Sequence, residues 1–160
     1  MTVRRAVPAD LARIAELYRG ARHFMRRSGN PTQWLGGYPG FAVVKADIRA
    51  GRCYVLSEGN QIRGVFVFFL GEDPTYAVID GAWRQEGPYG VIHRVAGDGR
   101  TPGIFRRCFE FCREQAPSLR VDTHRDNLPM RRAVEKAGFQ YRGIIHLADG
   151  SPRMAYEYTE

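Results

Sequence analysis

Strand-like and helix-like segments follow one another along the whole chain with no linker between them. That order leaves room for one mixed α/β or α+β domain spanning residues 1–160, and for little else. Val3–Ala6 is a short strand by pattern. Pro8 suits the first turn of a helix, and Leu11, Ile14, Leu17, Tyr18, Ala21, Phe24 and Met25 keep one apolar face, which predicts a helix over 8–27. A turn-rich stretch, SGNPTQWLGGYPG, fills 28–40, and a second helix is expected over 40–50, stopped at Gly51. CYVLS (53–57) and IRGVFVFFL (62–70) read as a hairpin around Glu58-Gly59-Asn60-Gln61. Further strands are expected at 75–80 and 89–96. The clearest helix runs 102–115, with Thr101 as N-cap, Pro102 at its first position and an apolar stripe of Ile104, Phe105, Cys108, Phe111 and Cys112. A strand at 119–123, a helix at 128–137 closed by Gly138, and strands at 139–146 and 153–158 complete the order.

Composition removes several classes. A chain of 160 residues with 44% hydrophobic side chains is neither disordered nor too small for a core. Three cysteines make no disulfide framework, and Cys108 and Cys112, one turn apart on the apolar stripe, read as packing with no metal expected. Arg4-Arg5 lead into Pro8 and Asp10 and not into an apolar stretch, and the longest apolar run is VFVFFL. No signal peptide or membrane span is read, and a cytoplasmic protein is expected. The net charge is +7, carried by 22 Arg and 2 Lys, and it concentrates at 1–30 (+5) and 91–136 (+4). Such charge fits nucleic acid, a membrane surface or an acidic ligand. No nucleic-acid reading motif accompanies it, so neither nucleic acid nor membrane is the expected partner.

The second basic region surrounds GDGRTPGIFRR at 97–107, where a strand meets a helix N-terminus through three glycines. Backbone amides at such a turn can converge on one anion, and Arg100, Arg106 and Arg107 flank it. The combination suits a pyrophosphate; an ordinary strand–turn–helix with exposed arginines is the alternative. It is not a Walker loop, since no Gly-Lys-Ser/Thr follows.

RTPGIF at 100–105 resembles the Arg/Gln-x-x-Gly-x-Gly/Ala fingerprint of the GNAT-type acyl-CoA N-acyltransferases, matching at Arg100 and Gly103 and departing at Phe105. NLPMRRAVEKAGF at 127–139 resembles that family's Asn-led helix closing in Lys-x-Gly-Phe, and VRRAVPADLARIAELY resembles its opening strand and helix. The resemblance covers nearly the whole chain. It implies a central, mostly antiparallel mixed sheet splayed between the fourth and fifth strands, flanked by about four helices. It also implies acetyl-CoA or a related acyl-CoA as co-substrate. Backbone at Val95, Ala96 and Gly97 would pair with the pantetheine. Amides along Arg100, Thr101, Pro102, Gly103, Ile104, Phe105 and Arg106 would receive the pyrophosphate, with proline contributing no N–H. Asn127 would lie near the pantetheine arm.

Attack on a thioester by an amine of pKa near 10.4 leaves about one molecule in a thousand neutral at pH 7, a deficit of roughly 4 kcal/mol that a base or proton path must remove. Many family members use a Glu on the fourth strand and a Tyr on the last helix; here those positions are Val91 and Val134. His93 shares a strand face with Val91 and is the candidate base. Asp122 and His124 share a face on the next strand, a carboxylate able to orient an imidazole or carry a proton. Tyr18, Tyr89 and Tyr141 are the tyrosines weighed for protonating the thiolate, and packing is the expected role of each.

Acceptor recognition is expected from Gln33, Trp34 and Tyr38 in the first interhelical loop, beside Asn30, and from Trp83 with Arg84, Gln85 and Glu86 before the fourth strand. The expected function is acetyl transfer to a small-molecule or peptide amine. A CoA-binding protein with little catalysis is the alternative, and a nucleic-acid module a weaker one. Two-fold dimers are common, and a homodimer stands open beside a monomer.

Overall fold

A computed structural model describes residues 1–160. In chain order the elements are β1 (Thr2–Arg5), α1 (Leu11–Arg27), α2 (Phe41–Arg49), β2 (Cys53–Glu58), β3 (Gln61–Leu70), β4 (Asp80–Gly81), β5 (Gly90–Gly97), α3 (Ile104–Arg113), β6 (Ser118–Thr123), α4 (Leu128–Lys136), β7 (Gln140–His146) and β8 (Pro152–Thr159). One sheet takes the order β1-β2-β3-β5-β6-β8-β7-β4. Every neighbouring pair is antiparallel except β5 and β6, which are parallel.

Helices cover both faces, which is why the middle strands are apolar on both sides. On one face Ile14, Leu17 and Tyr18 of α1 and Val44 of α2 bury against Val55 and Val65. On the other, Cys108 and Phe109 of α3 and Val134 of α4 bury with Leu56, Phe66, Ile92, Phe139 and Tyr156. Cys108 and Cys112 are buried free thiols, and no cluster of His, Cys, Asp and Glu could hold a metal. No helix is long and apolar enough to cross a membrane.

Two expectations are corrected. The stretch 75–80 is not a strand. Asp73 accepts hydrogen bonds from the Thr75 amide and hydroxyl, and Pro74–Tyr76 forms a short 3-10 turn, leaving only Asp80–Gly81 as strand. Asp-Pro-Thr is turn chemistry, and it overrides the β-branched run that follows. At α3, Thr101 is not the N-cap and Pro102 is not the first helical residue. Gly103 caps the helix in the left-handed region, φ 78°.

The parallel contact between β5 and β6 is short. Gly90, Val91 and Ile92 pair with Leu119, Arg120 and Val121, and no residue beyond Ile92 does. The closed end is tight: a Cβ at Gly90 would stand 2.6 Å from the Phe68 ring and 2.8 Å from the Leu119 side chain. Past that end the strands part, and the splay is the opening in which the site lies.

Nearby, β8 carries a carboxylate with no exposed surface. Glu157 accepts from the Arg84 amide at 2.8 Å and sits 3.3 Å from Arg142 Nε and 3.5 Å from Arg120 Nε. It joins β6, β7 and β8 to the segment leading into β5.

Candidate active site

A cavity of about 1140 Å³ occupies the splay. Its walls are β5 from Ile92 to Val95, β6 from Val121 to Thr123, the α1–α2 loop and the start of β8.

Its geometry depends on a bulge in β5. Val67 pairs with His93 and Val65 with Ala96, so Arg94 and Val95 together oppose the single residue Phe66. Arg94 has φ +49°, the one non-glycine residue with positive φ. That conformation costs roughly 1–2 kcal/mol. A fork from Arg94 to both carboxylate oxygens of Asp47, at 2.9 and 2.7 Å, offsets it, together with the Tyr38 hydroxyl that accepts from Arg94 at 2.9 Å. The Arg94 carbonyl accepts from the buried Tyr18 hydroxyl at 2.8 Å. The pairing of β5 with β6 ends at Ile92, just before the bulge, and the Val95–Gly97 backbone has no strand partner on that side.

His93 stands just before the bulge, between two carboxylates. Its Nε2 is 2.6 Å from Asp73 Oδ2, and its Nδ1 is 3.6 Å from Asp122 Oδ2. The same Asp122 oxygen accepts from the Tyr76 hydroxyl at 2.6 Å. Burial pushes the Asp73 carboxyl up, but the hydrogen bonds from His93 and Thr75 outweigh it and leave Asp73 at about 2. An ionised Asp73 assigns the Nε2 proton to their shared bond, so the neutral ring presents the Nδ1 lone pair on its other side. Because Asp73 falls from 3.8 to about 2 on folding, its stabilisation is present above pH 4 and is lost as pH falls through 2. The shift corresponds to about 2 kcal/mol. Urea unfolding midpoints followed from pH 5 to 2.5 should fall steeply for the wild type and less steeply for Asp73→Asn.

Asp122 and His124 do not meet, contrary to expectation. The Asp126 amide donates to His124 Nδ1 at 3.0 Å, and Nε2 lies 3.1 Å from Thr32 Oγ1. Burial and the nearby Arg153 charge both push His124 below its ordinary value, and its contact with Thr32 ties β6 to the α1–α2 loop. Asp122 therefore faces His93. The tyrosines weighed as acids are engaged elsewhere. Tyr18 donates to the Arg94 carbonyl, the Tyr89 hydroxyl accepts from the Asp73 amide at 3.0 Å, and Tyr141 lies against Tyr156. Val91 and Val134 are wholly buried and present nothing to the cavity.

In the turn before α3, Asp98 Oδ1 accepts from the amides of Arg100 (2.9 Å) and Thr101 (2.7 Å), so these two amides are occupied. The first backbone bond of the helix runs from the Arg107 amide to the Gly103 carbonyl. The amides of Gly103, Ile104, Phe105 and Arg106 carry no partner, and the space over Gly99 and Gly103 is open. This narrower set is what the helix N-terminus offers an anion. Ile104 locks the turn onto the sheet in the room left by Gly64 and Gly97, 3.0 Å from where their Cβ atoms would stand. The Phe105 side chain points into the core near Phe139, so its bulk does not obstruct the turn. Arg106 and Arg107 both bind Glu110, while Arg100 stays exposed and unpaired.

Gln33, Trp34 and Tyr38 all line the cavity. Trp34 packs edge-on to Tyr18 and Tyr38, and Gln33 Oε1 accepts from both Asn30 and Asn127. Asn127 also lines it, and its Oδ1 caps α4 by accepting from the Met130 amide. Trp83 does not line it. Its indole lies under Arg120 and against Tyr76, with Nε1 donating to the Tyr76 carbonyl, so it buttresses the tyrosine that holds Asp122. Sequence reasoning missed Asp73, Tyr76, Asp47 and Arg153; only Asp73 had a signal, in Asp-Pro-Thr.

No protein-family model and no curated protein matches the chain. Solved structures do. A GNAT-family acetyltransferase from Streptococcus agalactiae superposes with a TM-score of 0.89, covering 99% of this chain and 95% of its own at 28% identity. The chain has the GNAT-type N-acetyltransferase fold. An aminoglycoside acetyltransferase solved with coenzyme A has a TM-score of 0.67 at 22% identity, covering 99% of this chain and 94% of its own. The Salmonella typhimurium protein yncA, solved with acetyl-CoA, has a TM-score of 0.59 at 17% identity, covering 99% and 92%. The mostly antiparallel sheet with its single parallel pair is that of the GNAT fold.

Proposed function

We propose that this protein moves an acetyl group from acetyl-CoA to an amine by direct attack on the thioester, with His93 as the base. The observation that carries the reading is the placement of His93, held by Asp73 and faced by Asp122, at the point where β5 and β6 part. The free edge at Val95–Gly97 fits the amide groups of a pantetheine. The four unpartnered amides at Gly103–Arg106 fit its pyrophosphate, with Arg100 beside them.

The amine nitrogen attacks the thioester carbonyl and forms the C–N bond. Its proton passes to His93 Nδ1, and the resulting imidazolium lies between two carboxylates. The C–S bond then breaks and the thiolate leaves as CoA. A thiol pKa near 8.5 lets solvent protonate it at pH 7, so no dedicated acid is required. Buried valines at the usual Glu and Tyr positions favour a second reading, a CoA-binding protein with little transfer.

Calorimetric titration with acetyl-CoA tests the co-substrate half. One-to-one binding is expected, and no binding would refute both readings. Asp98→Ala removes the clamp on the Arg100 and Thr101 amides, a loss comparable to that of a helix cap. It should weaken acetyl-CoA binding by about 5- to 30-fold, equivalent to about 1–2 kcal/mol.

A further inference from the structure

Arg153 is the one buried arginine that lines the cavity, 6% exposed. The other cavity arginines are accounted for. Arg94 is forked to Asp47, Arg52 lies over Phe69, and Arg125 is exposed beside Asp126. Arg153 donates to two backbone carbonyls, Gln33 at 2.9 Å and Pro152 at 2.8 Å, and has no carboxylate within ion-pairing distance. Asp122 and Asp149 act on its charge only from beyond 4 Å, so the desolvated guanidinium has no direct ionic partner, and such a group is normally paired.

Strand register fixes where it looks. Asp122 stands opposite Ala155, so the two share a face, and Arg153 lies two residues before Ala155 on that same face. The separation along β8 is about 6.6 Å. Asp122 is also the carboxylate that faces His93. His93 and the Arg153 guanidinium thus lie on one side of the splayed sheet, within the span of one small molecule.

We propose that the acceptor is an amino-carboxylate: its amine lies at His93, and its carboxylate is received by Arg153. A planar, permanently charged fork matches a carboxylate through paired hydrogen bonds, and the bond to the Gln33 carbonyl fixes the guanidinium at the mouth of the α1–α2 loop. This assignment rests on the acetyl-transfer reading and narrows it to a substrate class.

Thiol release from acetyl-CoA tests it with the twenty standard amino acids, each compared with its own carboxamide. The wild type should acetylate at least one amino acid with kcat/KM about 30-fold or more above that of its carboxamide, the range of a charge-assisted contact. In Arg153→Gln that ratio should fall to near one, mainly through KM, and Arg153→Lys should restore part of it. The ratio is taken on one protein sample, so a partly unfolded variant does not distort it. Equal turnover of acids and carboxamides overturns the assignment. So does failure of every amino acid while acetyl-CoA binds, or an intact preference in Arg153→Gln. Absence of acetyl-CoA binding removes the acetyl-transfer reading and this one together.

Discussion

Replacing His93 by Ala should lower kcat/KM for a high-pKa amine by about 10²- to 10⁴-fold, the range of a positioned general base. Acetyl-CoA affinity should stay within about two-fold, because the ring touches Asp73 and Asp122 and neither the α3 turn nor the Val95–Gly97 edge. The loss should shrink as pH rises toward the pKa of the amine, since more of the amine is then already neutral. Asp73→Asn should show a smaller loss in the same direction. It leaves the ring in place but removes the charge that favours the Nε2–H tautomer. Unchanged turnover in His93→Ala across this pH range would show that the acceptor amine loses its proton elsewhere.

The largest stability effect is expected at Glu157, which does not line the cavity. Its carboxylate is fully buried between Arg120 and Arg142 and accepts from the Arg84 amide. Glu157→Ala leaves the buried Arg120 guanidinium, and the partly exposed Arg142 beside it, without their carboxylate, a loss of the kind that costs about 3–5 kcal/mol. At about 2–4 °C per kcal/mol for a domain of this size, the midpoint of thermal unfolding should fall by roughly 6–20 °C. Arg120 also lies over the Tyr89 ring at 3.8 Å and the Trp83 ring at 4.1 Å, and Trp83 supports Tyr76. The variant should therefore lose activity at temperatures where it is still folded. Differential scanning calorimetry beside activity measurements would separate the two effects.

How the site could be read depended on where each side chain got its geometry. His93 was visible because strand parity puts it on the face of Val91, and the fold preserves that parity up to the bulge. Its partner Asp73 has no such signature as a partner, since it reaches the imidazole from a turn twenty residues earlier, just before the stretch 75–80 that reads as a strand. The bulge at Arg94 had no signature. A non-glycine residue with positive φ is held there by Asp47 and Tyr38, contacts that exist only after α2 and the loop have packed. In sequence, Arg106 and Arg107 flank the glycine turn that suits a pyrophosphate. Helical spacing to Glu110, three and four residues on, shows why they are partly neutralised. Phe105 departs from the fingerprint, but the residue faces the core, so the departure leaves the turn intact. Its neighbourhood in sequence points Trp83 to the acceptor wall, and a cation–π contact with Arg120 turns it behind the site instead.

The charge of the first thirty residues is only partly absorbed by the fold. Arg4 pairs with Asp10 and Arg13 with Glu16, while Arg19, Arg26 and Arg27 remain exposed on α1.

The most direct test of acetyl transfer is thiol release from acetyl-CoA by the wild-type protein on addition of amines spanning a range of pKa. The predicted result is release that requires the amine, saturates in both reactants and yields one acetylated amine per CoA. Stoichiometric acetyl-CoA binding with no amine-dependent release from any of them would contradict it, and would leave the fold as a CoA-binding protein without transfer.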